Sequence, residues 1–287
     1  MTELQVGTTQ TFTVSRVIET GYVLGLNDQE VLLHTNEAAK ELEVGEDVLV
    51  FLYHTKKGTM AATMSIPTIS FERYDWVEVK EAVRRLGVFV DIGISKDILV
   101  SEDDLPLFEQ VWPQAGDKLF VCLSKDQKGR LLAKPATENV MEGYSEPAPE
   151  SVLHQFISGH IYRSTKVGSF LMTEEGYRGF IHYSERKEEP RLGEWVKGRV
   201  IDVKSVGSIN VSLRPVKEEA LGQDAEDILA FMNERGGKMF FTDKSDPEEI
   251  RDTFDISKAA FKRALGRLLK QGKIEQNDGL TTLKDSE

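Results

Sequence analysis

The chain has 287 residues, of which 40% are hydrophobic and 29% charged, with a formal net charge of -12 at pH 7. This composition is typical of a globular protein with several folding units, and no apolar run reaches the ~20 residues that a membrane helix needs. The N-terminus shows no secretory signal, so we predict a cytoplasmic location without a membrane partner. The one cysteine, Cys122, lies in an apolar run that predicts a buried strand, and it excludes an intrachain disulfide.

One pattern occurs three times in the first three quarters of the chain. Each copy has a glycine and an acidic residue before an apolar strand, and a hairpin glycine 13, 13 or 14 residues later: Gly45 and Gly58, Gly116 and Gly129, Gly193 and Gly207. Upstream of this, each copy has an aromatic residue in a β-rich run, and then a second short strand. Five short strands per copy predict an OB-type barrel, because a flat sandwich would need more strands around each core.

The repeats predict a mainly β protein with a C-terminal α+β module. We expect three tandem five-stranded barrels over residues 1–66, 67–137 and 151–214, and a further domain over 220–287. Acidic residues and two prolines interrupt the strand pattern at 138–150, which predicts a linker. No flexible stretch lies near Pro67, so the first two barrels are expected to pack together.

The third copy contains the pattern of a known nucleic-acid-binding module. Phe170 is followed by Phe180-Ile181-His182-Tyr183-Ser184, by Leu192-Gly193-Glu194-Trp195-Val196 and by Ile209-Asn210-Val211-Ser212-Leu213-Arg214. This resembles the S1 RNA-binding domain, an OB-fold variant, and the resemblance covers about residues 1 to 214. It implies a binding face with two aromatic residues, a histidine, and an Asp and an Arg near the last hairpin.

Each copy keeps only part of that face. The residues kept are Phe170 and His182 in the third copy, Phe89, Asp126 and Arg130 in the second, and Tyr22 and His34 in the first. The residues that replace the family pattern are Val167, Lys204 and Ser208 in the third, Leu86 and Val100 in the second, and Thr55 and Thr59 in the first. Strand alternation alone would favour a core position for each aromatic, whereas the resemblance implies exposure.

Charge distinguishes the third copy from the rest of the chain. The net charge is -5 over residues 1–66, -6 over 67–150, +3 over 151–214 and -4 over 215–287. A phosphate backbone favours positive surface, so the third barrel is the first choice for RNA and the first barrel is mainly architectural. The cations expected to contact RNA there are Lys166, Arg178, Arg199 and Lys204.

After Pro215 the pattern changes from strands to helices. The sequence predicts helices over 225–234, over 247–254 with Asp246 as N-cap, and over 257–271 before Gly272, and then a hairpin around Asp278-Gly279. This order resembles a winged-helix domain. The third helix has an apolar face, Phe261, Ala264, Leu265, Leu268 and Leu269, and a basic face, Lys258, Lys262, Arg263, Arg267 and Lys270. The basic face is interpreted as an accessory RNA contact, a domain-docking surface or a merely solvated face, rather than a reader of duplex DNA.

The complete layout is similar to the bacterial conserved virulence factor B family, and this resemblance implies an RNA-binding regulator of gene expression. The predicted partner is single-stranded RNA, with the ribosome or RNA-associated proteins as further partners. The chain lacks the common phosphate-loop, zinc and nucleophile motifs, so we predict no enzyme activity, metal or cofactor. The alternative is a protein-interaction scaffold whose acidic first two barrels bind a basic partner.

Overall fold

The computed structural model describes residues 4–215, 217–277 and 279–284. The chain divides into two compact units, Met1–Leu213 and Arg214–Glu287. The first unit contains three closed five-stranded barrels, and the second contains helices and a three-stranded sheet. The predicted fold class, three OB-type barrels and a winged helix, is confirmed. None of the helices in the described ranges has the length and apolar character needed to cross a membrane.

All three barrels have the same strand order. The strands of the first barrel are β1 (Thr9–Ile18), β2 (Gly21–Leu26), β3 (Gln29–His34), β4 (Asp47–His54) and β5 (Met60–Thr63). Those of the second are β6 (Asp75–Val83), β7 (Gly87–Asp91), β8 (Ile98–Ser101), β9 (Lys118–Lys125) and β10 (Leu131–Pro135). Those of the third are β11 (Phe156–Thr165), β12 (Gly168–Thr173), β13 (Arg178–His182), β14 (Trp195–Val203) and β15 (Ile209–Ser212). In each barrel the third strand pairs in parallel with the fifth, and closure leaves no free sheet edge.

The repeated glycine and acidic residue form a turn that starts the fourth strand of each barrel. The carboxylate accepts the backbone N–H of the residue three positions earlier: Glu46 from Glu43, Asp117 from Gln114, and Glu194 from Arg191. The preceding glycines have φ angles of 90°, 92° and 82°, which favour a residue without a Cβ. The predicted hairpins then join the fourth strand to the fifth. The repeat in the sequence is therefore a repeat of backbone turns.

The first two barrels pack together, as predicted. In β4, Val50 and Leu52 face the core of their own barrel, while Phe51 and Tyr53 are buried with side chains of the second barrel. The Tyr53 hydroxyl is 3.3 Å from Oγ of Ser95, in the loop after β7. Burying two such aromatic side chains contributes roughly 2 kcal/mol each, which explains why no flexible spacer separates these barrels.

The segment 138–150 is an ordered connection and not a flexible linker. Helix α1 (Glu138–Gly143) begins directly after the second barrel, and a short 3-10 helix follows at Glu150–Val152. Met141 of α1 is buried with Phe120, Tyr162 and Met172 of the adjoining barrels. The acidic residues and prolines that indicated a linker end the strand pattern, but Met141 and Val140 pack the helix against the adjoining barrels.

The second unit has the expected helices and one unexpected strand. Its elements are α2 (Lys217–Glu234), β16 (Lys238–Met239), α3 (Pro247–Phe254), α4 (Lys258–Lys270), β17 (Ile274–Asn277) and β18 (Leu280–Leu283). Asp246 caps α3, as predicted, and Ser257, predicted as the first residue of the third helix, is the N-cap of α4. Helix α2 begins earlier than the predicted 225, where the apolar periodicity starts. Leu269 is 40% exposed and is not in the core, and Asp278 of the predicted hairpin lies outside the described residues.

Candidate nucleic-acid interface

The outward side of β12 and β13 carries a row of rings on the third barrel. Phe170 and Phe180 are directly opposite each other in the strand register, and their ring centroids are 4.9 Å apart. His182 lies 6.2 Å from Phe180, and Tyr183, which is 58% exposed, lies 4.3 Å from His182. We call Phe170, Phe180, His182 and Tyr183 the aromatic row. Both phenylalanines are half-buried, and Phe170 packs in part against the buried cluster of Phe120, Met141, Tyr162 and Met172. The surface that each ring leaves accessible is where a base can stack.

Phe170 also has a cation beside it. The Arg163 guanidinium lies over the Phe170 ring at 5.5 Å from its centroid, in the position opposite Phe170 on β11. Arg163 is held there by Glu138, whose carboxylate is 3.1 Å away. A half-exposed guanidinium fixed against a stacking ring can contact the phosphate that follows a stacked base.

His182 is oriented by the turn that follows β13. Its Nδ1 accepts the backbone N–H of Ser184 at 3.3 Å and is 2.7 Å from the Ser184 hydroxyl oxygen. In the neutral ring this places the proton on Nε2, which can donate outward to a phosphate or a 2′-hydroxyl. His34 caps the corresponding turn in the first barrel by accepting the N–H of Asn36 at 3.2 Å.

The residue equivalent to His182 in the second barrel is Ser101, and the assignment of Val100 to this position was wrong. Gly87 pairs with Ser101 in the same way that Gly168 pairs with His182. Val100 is one residue earlier, so its side chain points into the core and is fully buried.

Tyr22 is a core residue and not a stacking surface. It follows Gly21 directly, whereas Phe170 is the second residue after Gly168, and successive side chains of a strand face opposite sides. Tyr22 is 7% exposed, and its hydroxyl oxygen accepts the N–H of Leu42 at 3.3 Å. Val23 occupies the position of Phe170, so the first barrel has no ring there.

The second barrel keeps a ring and a paired hairpin. Phe89 is half-buried on β7 and lies opposite Glu81 on β6. Asp126 and Arg130 bind each other across the hairpin at 2.6 Å, and the hydrogen bonds from Arg130 lower the pKa of the Asp126 carboxyl. Part of the Arg130 charge is therefore satisfied within the protein, although its side chain is 70% exposed.

The predicted cations of the third barrel differ in their availability. Lys166 is exposed in the hairpin between β11 and β12. Arg178 was predicted to contact RNA, but it is bound to Glu138 at 3.0 Å and Glu142 at 3.2 Å. Lys204 is bound to Asp202 at 2.5 Å. Arg199 lies on β14 and not on the β12–β13 pair. The net charge of the segment counts all four cations equally. Local ion pairs, however, reduce the number of cations whose charge is available to a ligand.

The basic face of the winged helix lies on the solvent side of α4. Arg263, Arg267 and Lys270 are exposed, whereas Phe261, Ala264, Leu265 and Leu268 are buried. Lys262 pairs with Asp243 at 3.7 Å, and Lys258 is half-buried near the Lys244 carbonyl. Among the residues that the structure describes, no cluster of three or more His, Cys, Asp or Glu side chains could hold a metal ion.

Sequence reasoning missed two members of the aromatic row. Phe180 and Tyr183 are in the motif Phe180-Ile181-His182-Tyr183, and alternation around the buried Ile181 places Phe180 on the same side as His182. That alternation was readable from the sequence. The exposure of Tyr183 was not, because it depends on the turn after β13.

Four family sequence models match the chain. They are the S1 domain over residues 6–65, the CvfB first S1-like domain over 74–134, the second domain of virulence regulatory factor CvfB over 141–215, and the CvfB-like winged helix domain over 226–283. The three S1-type and CvfB models each cover one barrel, and the winged-helix model covers the second unit.

Curated and solved relatives cover most of the chain. The uncharacterized protein YitL of Bacillus subtilis is 48% identical over 94% of this chain and 91% of its own length. Conserved virulence factor B of Staphylococcus epidermidis is 39% identical over 90% of this chain and 88% of its own length. The crystal structure of a multidomain protein with nucleic acid binding domains from Streptococcus pneumoniae is 35% identical, with a TM-score of 0.68 and coverage of 97% of this chain and 98% of that one. The chain belongs to the conserved virulence factor B family.

Proposed function

We propose that the chain binds single-stranded RNA through the aromatic row of the third barrel and acts as a non-catalytic regulator of gene expression. The observation that carries this proposal is the set of four adjacent rings on the one barrel whose segment is net positive, +3 over 151–214. Bases stack on such rings with about 1–3 kcal/mol each, whatever their sequence. The nucleic acid binding domains of the S. pneumoniae relative support the same ligand class.

Three features favour RNA in a single-stranded form. Phe170 and Phe180 offer flat surfaces that only unpaired bases can reach. Nε2 of His182 can donate to a 2′-hydroxyl, which DNA lacks. Arg163 supplies a cation beside Phe170, and Lys166 supplies one in the hairpin at the His182 and Tyr183 end of the row. The winged-helix basic face, with Arg263 and Lys270 exposed, is an accessory contact in this proposal.

The proposed role is regulatory, because a site that stacks bases and pairs with phosphates acts by occupying the RNA. A protein that holds unpaired RNA can block or open a segment to other factors, and this acts on gene expression after transcription. The match of residues 141–215 to the second domain of virulence regulatory factor CvfB supports a regulatory role, and the place of action in this proposal is the cytoplasm.

The test is a titration with a short single-stranded RNA and the matching DNA at two salt concentrations. We expect Phe170→Leu, which keeps apolar volume but removes the ring, to weaken RNA binding by about 1–2 kcal/mol. Phe170→Tyr should bind nearly as well as the wild type. Leu107→Ala, a change at an 89% exposed residue of the second barrel, is the control. RNA affinity equal to that of an unrelated acidic protein would refute the proposal.

A protein-docking function is the second candidate, and one observation favours it. Leu107 and Phe108 are 89% and 68% exposed on the second barrel, in a loop that also carries the exposed Glu102 and Asp104. Exposed apolar residues within an acidic surface fit a basic protein partner such as a ribosomal protein. Phe108→Ser would then abolish co-sedimentation with ribosomes while RNA affinity stays unchanged.

A further inference from the structure

The pair β11 and β14 presents a second outward face of the third barrel. Its outward residues are opposite one another in register: Phe156 with Arg199, Ser158 with Lys197, and His160 with Trp195. The residues between them, such as Ile157, Val196 and Val200, are buried in the barrel core. This face does not include β12 or β13, so it is separate from the aromatic row.

Two exposed rings, an exposed lysine and a half-buried arginine lie on this face. Phe156 is 53% exposed and Trp195 is 43% exposed. The Lys197 ammonium lies 5.6 Å from the centroid of the Phe156 ring. Nε of Arg199 is buried and has no hydrogen-bond partner within the described part of the chain. Two accessible rings beside two cations are the groups that a base and its phosphate require.

The rings continue from this face onto the second barrel. Trp195 lies 4.6 Å from His160, His160 lies 5.0 Å from Trp76, Trp76 lies 5.2 Å from Phe120, and Phe120 lies 5.1 Å from Tyr144. We call these five residues the ring ladder. Tyr144, at its far end, is 51% exposed. The ladder is therefore open to solvent at both ends.

A purely structural role explains only the middle of the ladder. Phe120 is buried, and Trp76 and His160 are half-buried between two barrels, so these three hold the barrels together. Burial of Trp195, Tyr144 and Phe156 is incomplete, and the placement of Lys197 over Phe156 adds nothing to the junction. Glu194, which precedes Trp195, forms an ion pair with Arg191 at 3.4 Å. The Glu194 carboxylate therefore does not neutralise the charge of Lys197.

We propose that the β11–β14 face is a second binding surface for single-stranded RNA, on which Trp195 and Phe156 stack bases while Lys197 and Arg199 pair with phosphates. It takes the same class of ligand as the proposed function but uses different residues. An RNA long enough to reach both faces gains affinity through the high effective concentration of its second segment.

Intrinsic fluorescence reports directly on this face. Of the three tryptophans, Trp76 and Trp195 are in the ring ladder, whereas Trp112 is buried and donates to the Pro106 carbonyl. We expect oligouridine to quench the wild-type emission and Trp195→Phe to remove most of that quenching. Phe170→Leu should shift the titration to higher RNA concentration but leave the quenching at saturation unchanged.

Affinity measurements give a second readout that does not depend on tryptophan. We expect Phe156→Leu and Lys197→Gln together to weaken binding of a long oligouridine about fivefold or more and to reduce the salt dependence by about one phosphate contact. Lys57→Gln, at an exposed lysine in the last hairpin of the first barrel, is the matched control. Melting temperatures of all variants verify that they fold.

The outcomes separate this inference from the proposed function. No quenching, with full affinity retained by Phe156→Leu/Lys197→Gln, overturns the second surface even if Phe170→Leu weakens binding. Loss of affinity in Phe156→Leu/Lys197→Gln, with none in Phe170→Leu, supports the second surface and rejects the aromatic row. A wild-type chain that does not bind oligouridine rejects both.

Discussion

The first and third barrels have the same backbone and different outer surfaces. Both have the strand order first, second, third, fifth, fourth, and both begin the fourth strand from a glycine and an acid-capped turn. Their aromatic residues, however, differ by one position in the second strand. Tyr22 enters the core and Phe170 lies on the surface. Turn residues thus specify the barrel. The odd or even position of an aromatic residue along the strand decides whether its side chain points to the core or to the surface.

The two barrels also differ in what covers them. The first barrel buries the outer side of β4, through Phe51 and Tyr53, against the second barrel. The third barrel keeps Phe180 and Tyr183 accessible and has the positive segment charge. The first barrel therefore uses its outer surface for contact with the second barrel, whereas the third barrel leaves aromatic side chains accessible to solvent.

The largest effect that tests this comparison is expected from Tyr22→Ala. A buried ring is lost and the N–H of Leu42 loses its acceptor, so the free energy of unfolding should fall by about 3 kcal/mol. Urea denaturation measures it. RNA affinity, measured below the unfolding transition, should equal that of the wild type. A stable variant with weak RNA binding would instead show that Tyr22 belongs to the interface.

Glu138→Ala should have the next largest effect. Its carboxylate accepts hydrogen bonds from the Tyr162 hydroxyl at 3.0 Å, from Arg163 at 3.1 Å and from Arg178 at 3.0 Å. The loss leaves a buried hydroxyl and a largely buried guanidinium without their main acceptor, which costs about 2 kcal/mol of unfolding free energy.

Glu142→Ala is the control for Glu138→Ala. Glu142 is 63% exposed, and of the three donors that bind Glu138 it binds only Arg178. Its loss should therefore cost less than about 1 kcal/mol of unfolding free energy. Equal effects from the two substitutions would mean that α1 is only loosely packed on the third barrel, contrary to the burial of Met141.

The equivalent rings Phe170 and Phe89 should differ in their contribution to RNA binding. Phe170→Leu should cost about 1–2 kcal/mol of binding free energy, and Phe89→Leu less than about 0.5 kcal/mol, since stacking also needs a nearby positive surface. Phe89 lies opposite Glu81 in a segment of net charge -6, whereas Phe170 lies under Arg163. Fluorescence anisotropy with labelled RNA measures both. Equal losses would make the second barrel an equal RNA site.

The fold could be predicted because its signals are local. Glycine and acidic residues at fixed spacing specify the turn before the fourth strand, and Asp246 and Ser257 start their helices through their own side chains. These interactions span three residues or fewer, so the sequence displays them directly. Helix α2 was predicted too short because the sequence has no Ser, Thr, Asp or Asn directly before Lys217 to indicate its start.

The candidate site was only partly predictable because it depends on contacts between distant residues. Nothing in the sequence near Arg178 indicates that Glu138, 40 positions earlier, neutralises it. Phe170 and His182, which the resemblance assigns to one binding face, each lie next to Phe180, for which the resemblance gave no role. The assignments of Tyr22 and Val100 failed by a single residue, which is enough to move a side chain from surface to core.

The smallest expected effect concerns pH and the junction between the second and third barrels. Burial lowers the pKa of His160, which lies between Trp76 and Trp195. Its Nδ1–H donates to the Gly193 carbonyl oxygen, 3.0 Å away. The unfolded chain therefore takes up a proton at higher pH than the folded chain does. Stability should be unaffected above about pH 6.5 and should fall as the pH drops further, with a slope below ~1.4 kcal/mol per pH unit for one proton. His160→Gln should flatten that slope in urea denaturation measured from pH 7.5 to 5.5. Parallel curves for the variant and the wild type would show that the ring is as well solvated in the folded chain as in the unfolded one, and that the ring ladder is open along its whole length.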